Sequence, residues 1–77
     1  MFKNLINKMN YIIKGQFLDK TGGEFWINED NKTDSLKRTI IKNSATRYNN
    51  KKEAAEIKND ILNNNIHRNI SLIVHQV

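Results

Sequence analysis

Cysteine is absent from this chain of 77 residues. A secreted domain this small usually depends on disulfides or a thiolate metal site, so the absence predicts an intracellular protein. Long apolar runs are missing as well. No segment approaches the roughly 20 apolar residues that cross a bilayer, and the opening "MFKNLINKMN" is broken by polar residues where a signal peptide would be hydrophobic. The expectation is an unexported chain with no membrane partner. Phe2, Leu5, Ile6 and Met9 do recur at helical spacing, which suits a short terminal turn or strut, and residues 1–8 read as an N-terminal extension to a single domain over 9–77.

Catalytic and metal-binding patterns are also lacking. Ser35, Ser44 and Ser71 have no motif that brings a histidine beside them. His67 and His75 are eight apart, without metal-helix spacing or a nearby carboxylate cluster, and read as surface residues. Glu24, Glu29 and Asp30 flank a polar loop and read as solvated. The paired glycines of "KTGGE" lack the Lys-Ser/Thr ending of a phosphate loop. The sequence thus predicts a protein that is not an enzyme and needs no cofactor or metal.

What is present predicts a small α+β fold, an antiparallel sheet of three or four strands packed on one main helix. Tyr11 to Leu18, the turn "DKTGG" and "EFWIN" form a hairpin, because the glycines admit positive φ and the flanks are rich in β-formers. Residues 28–34 are polar and read as a loop. Leu36, Ile40 and Ile41 fit a helical face, whereas Thr39, Ile40 and Ile41 are β-branched; a third strand is the preferred reading. Asn50 and Glu53 make a capping-box variant, and Ala54, Ile57, Ile61 and Leu62 then repeat at helical spacing. Ala45 and Tyr48 are expected to tuck beneath that helix. Asn63 to Asn65 should end it through left-handed backbone. "NISLIVHQV" closes the chain as a strand with Ile70, Leu72 and Val74 on one face and Ser71, Ile73 and His75 on the other. Apolar residues on both faces suggest a central strand, or an edge covered by another chain. With 38% hydrophobic residues the core is small, so a homodimer is among the expected states.

The net charge of +5 is not spread evenly. Residues 32–52 hold Lys32, Lys37, Arg38, Lys42, Arg47, Lys51 and Lys52 against Asp34 alone. Such a block attracts phosphates or an acidic protein surface, and its sign excludes mimicry of DNA; it can also be no more than a solvated face. The expected partner-binding residues are Lys37, Arg38, Lys42, Arg47, Lys51 and Lys52 together with Trp26. A nucleic-acid module would use the same stretch, with Trp26, Tyr11 or Phe17 stacking bases if their sheet face is open.

The elements "NYIIKG", "A-x-x-Y-x-x-KKEAAEI" and the terminal strand resemble small accessory proteins of phages and mobile elements from low-GC bacteria, over most of residues 9–77. Those proteins often carry tyrosine-valine-isoleucine-lysine, a later alanine-x-x-phenylalanine and serine-lysine-glutamate-glutamate-alanine. This chain has Tyr48 in place of the phenylalanine, a longer basic insertion at residues 35–44 and the extension before Met9. The resemblance implies a β-β-α-β accessory protein, cytoplasmic in the host bacterium. Its expected role is to bind and inhibit or modulate a host protein or nucleoprotein complex, bacterial defence systems included.

Overall fold

The computed structural model describes residues 10–19, 22–66 and 68–77. The expectations for Phe2, Leu5, Ile6, Met9 and His67 lie outside them. Strand β1 spans Tyr11–Phe17, β2 Glu24–Ile27 and β3 Arg38–Thr39; a 3-10 turn over Lys42–Ser44 leads to helix α1, Lys51–Asn64, and strand β4 is Ile70–Gln76. The four strands form one antiparallel sheet in the order β3-β2-β1-β4. The small α+β fold expected from the sequence is the fold observed.

Period-2 alternation decides what each strand gives to the core. Ile13 of β1, Phe25 and Ile27 of β2, and Ile70 and Leu72 of β4 point to one side, where they meet Ala54 and Ile61 of α1 together with Leu36 and Tyr48. Ala54 is completely buried, so its small side chain lets the helix approach the sheet closely; Ile57 and Leu62 are half-buried at the margin. At the start of α1, Asn50 Oδ1 accepts from the Glu53 amide at 2.7 Å, which satisfies a backbone donor that the first helical turn leaves over.

Gly15 has a specific reason to be glycine. It stands opposite Phe25 in the β1–β2 register, and a Cβ there would lie 2.2 Å from Phe25 Cε1. The phenyl ring therefore occupies the space of the missing side chain, and it also packs against Phe17 at 5.5 Å between centroids.

One expectation is narrowed and one is corrected. The expected third strand forms beside β2, but over Arg38 and Thr39 alone, and the chain then turns through the 3-10 segment. Asp34 accounts for this shape. Its carboxylate accepts from the backbone amides of Leu36 and Arg38, and its carbonyl accepts from Lys37 N–H at 2.9 Å, closing a tight turn that sinks Leu36 fully into the core. Lys37 takes a φ of 52° inside that turn. Asn65 does not end the helix through left-handed backbone, since its φ is −129°. Its side chain is buried instead, and Nδ2 donates to Ile61 O at 2.8 Å, supplying a partner for a helix-end carbonyl.

The chain between the 3-10 turn and α1 is wedged into the sheet. Thr46 N–H donates to Ile27 O, and Tyr48 exchanges both backbone hydrogen bonds with Tyr11. This segment and β4 both run antiparallel to β1 on its opposite sides, so α1 is the crossover that carries the chain over β1. Tyr48 is buried with Ala54 and Ile61 of α1 in the core as expected, at 4% exposure; Ala45 is buried too, at 7%, but outside that core cluster.

Candidate binding face

With α1 on one face of the sheet, the residues of alternate parity form the other. Along β1 these are Ile12, Lys14 and Gln16; opposite them stand Glu24, Trp26 and Thr39 on one side and Ser71, Ile73 and His75 on the other. Tyr48 points into the core, so alternation in the extended 46–48 segment turns exposed Arg47 to this second face, beside Ile12. Ile12 is itself buried, at 1% exposure.

Half-exposed Trp26 is the centre of this face. The ammonium of Lys42 lies 5.4 Å from a Trp26 ring centroid, within cation–π range, and the His75 ring meets Trp26 edge-on at 6.1 Å. Lys14 pairs with Glu24 at 2.8 Å across the hairpin. Lys42 and Arg47 have no acidic partner among the described residues.

The expected basic block therefore divides into three. Lys42 and Arg47 join Trp26 on the open face. Lys51 and Lys52 are exposed in the first turn of α1, where positive charge opposes the helix dipole and folding gains nothing from it. Lys37 and Arg38 belong to the Asp34 turn. Arg38 Nε donates to Asp34 Oδ2 at 2.8 Å, and its guanidinium lies 5.8 and 6.0 Å from the Phe17 and Phe25 ring centroids. Burial pushes the Asp34 carboxyl upward, but the hydrogen bonds from the Arg38 side chain and from the Leu36 and Arg38 amides outweigh it and leave the pKa below the usual aspartate value. Arg38 is thus engaged within the fold. The same residues line a half-open pocket of about 300 Å3, floored by Phe17 and Phe25 and bounded by Thr39 and Ile40.

The aromatic residues separate in the same way. Tyr11 and Phe17 face the helix side and pack against the core, so they are not on an open stacking surface; of the three aromatics considered for bases, Trp26 alone is on the open face. Tyr48 is structural too. Burial, and then the hydrogen bond its hydroxyl donates to Glu29 Oε2, push its pKa far up and keep the phenol neutral. Glu24 and Glu29 are tied to different partners, Lys14 and Tyr48.

Sequence reasoning missed Lys14 and His75 as members of the face with Trp26. Their signal was the alternation in "IIKG" and "LIVH", where Lys14 follows core-facing Ile13 and His75 follows core-facing Val74. Among the described residues no three His, Asp or Glu side chains gather to hold a metal ion, and no helix is long and apolar enough to cross a membrane. Comparison with protein families, curated proteins and solved structures gives no match to the chain.

Proposed function

We propose that this chain is a non-catalytic binding protein that docks the open sheet face and the adjoining helix start on an acidic surface of another protein. The observation that carries the reading is the grouping of Lys42 and Arg47, free of acidic partners among the described residues, around half-exposed Trp26. Tryptophan and arginine are the side chains that most often dominate protein interfaces. Base stacking is less well supported, because Lys42 already lies over the Trp26 ring and Tyr11 and Phe17 are turned into the core. The resemblance to phage and mobile-element accessory proteins makes a host protein the natural target, with inhibition or modulation, for instance of a defence system, as the outcome.

The test is capture of partners from host-cell lysate by the parent and by a variant with Lys42, Arg47, Lys51 and Lys52 changed to glutamine. These side chains are exposed, so the melting temperature should stay close to the parent's. The captured protein should bind the variant at least about tenfold more weakly, a difference of about 1.4 kcal/mol. Equal binding by both would refute the reading. Tight binding of a random oligonucleotide by the parent, with a log–log salt slope that flattens in the variant by about 0.9 for each phosphate it no longer neutralises, would replace the protein partner with nucleic acid.

A further inference from the structure

The two edges of the sheet are built differently. At one, β3 is only two residues long and runs into a bend and a 3-10 turn, which leaves little backbone for another strand to pair with. At the other, β4 presents seven residues in unbroken register with β1, without a bulge. Its sequence, ISLIVHQ, contains no lysine, arginine, aspartate, glutamate or proline. Natural edge strands of this length usually carry one of those devices against pairing.

Hydrogen-bond parity shows what this edge offers. Leu18 N–H donates to Asn69 O and Val77 N–H to Asn10 O. The odd-numbered residues of β4 therefore bond to β1, and the even-numbered residues direct their amides and carbonyls outward. Leu72 and Val74 contribute the central outward groups, with no strand on that side among the described residues.

From this edge we infer that β4 pairs antiparallel with β4 of a second copy of the chain about a two-fold axis at Ile73, joining the two sheets into one of eight strands. The strand is complementary to itself in that register. Leu72 of each copy faces Val74 of the other at a hydrogen-bonded site, which sets apolar beside apolar on the helix side. On the open side Ile73, 56% exposed in the single chain, faces its own symmetry mate at a non-hydrogen-bonded site, where side chains come closest. Ser71 faces His75, polar against polar. Each chain carries +5 overall, but β4 holds no lysine or arginine, so the strand itself sets no like charges against each other in this pairing.

The pairing stands apart from the proposed docking on an acidic surface, and purified protein tests it without any target. A pairing of two edge strands is a small contact of the kind found in weak, transient interfaces, so association is sought over a wide range of concentration. Sedimentation of the parent between about 10 and 500 μM should show a shift from the 9.0 kDa chain to twice that mass, and the Leu72 and Val74 amides should exchange as slowly as those of Ser71 and Ile73. Ile73→Lys, which sets two like charges opposite each other at an already exposed site, should raise the dissociation constant tenfold or more. Val74→Pro removes an outward N–H and no bond to β1, and should act in the same direction. A parent that stays at 9.0 kDa throughout overturns the inference. So does a dimer that Ile73→Lys leaves intact, or one in which the Leu72 and Val74 amides exchange freely, since either places the contact elsewhere.

Discussion

Single atoms decide much in a core this small. A methyl group at position 15 would stand 2.2 Å from Cε1 of the Phe25 ring, which is 3% exposed and would have to shift. Gly15→Ala should therefore cost about 1–3 kcal/mol, the usual range for overpacking, and lower the melting temperature by roughly 4–8 °C for each kcal/mol. Adding Phe25→Leu should recover part of the loss in a thermal melt, and failure to recover any would locate the strain elsewhere. Asp34 leads to a prediction in pH. Its folded pKa lies below 3.8, so the stability it contributes is complete above its unfolded value and is lost as pH falls through the folded value. Asp34→Asn should be less stable than the parent at neutral pH, and the gap should close below about pH 4 as the parent's carboxyl protonates. Urea melts at several pH values measure both limbs, and a gap unchanged down to about pH 2, below the usual aspartate range, would show that the carboxylate charge does not hold the turn.

Helix α1 makes its strongest contact through Ala54 and Ile61, with Ile57 nearer the rim. Ile61→Asp should unfold the domain, because a buried carboxylate has no partner on that face. Ile57→Asp should weaken the fold without abolishing it. Circular dichroism through a thermal ramp separates the two, and equal effects would mean that the helix is rotated from the face described. This element was legible in the sequence because its signals are local: an asparagine cap, a glutamate three residues on, and apolar residues at helical spacing. The hairpin and the alternation of β4 were legible for the same reason. The fit of Phe25 over Gly15 was not, since it depends on which residues stand opposite each other across two strands. The division of the aromatics was only half visible. Trp26 alternates with Phe25 and Ile27, but Tyr11 and Phe17 acquire a side only through the strands beside them. The third strand was foreseen but its short length was not, because Asp34 organises the approach to it through side-chain bonds to backbone amides, which no periodicity records. The basic block was visible as a run of charge, but its division among an open face, a helix start and an internal ion pair belongs to the tertiary structure.

At the scale of the whole molecule, the closing strand holds the sheet together. Strand β4 pairs along the entire length of β1 and supplies Ile70 and Leu72 to the core. A chain cut after residue 69 should therefore lose the cooperative transition altogether, and α1 should not persist alone, since fourteen residues are marginal for an isolated helix. A sharp melt from such a fragment would mean that the hairpin and helix already form a stable unit.

The pairing of Tyr11 with Gln76 and of Phe17 with Ile70 joins the beginning of the described chain to its end. Contacts so distant in sequence close slowly, because the ordering entropy of the intervening loop comes before the gain from the contacts. During synthesis the ribosome still holds β4 after β1, β2 and α1 have emerged. The nascent protein must wait with one edge of β1 bare and the sheet side of α1 partly uncovered until β4 has followed them out. Until then, those two uncovered surfaces are open to aggregation and to proteases.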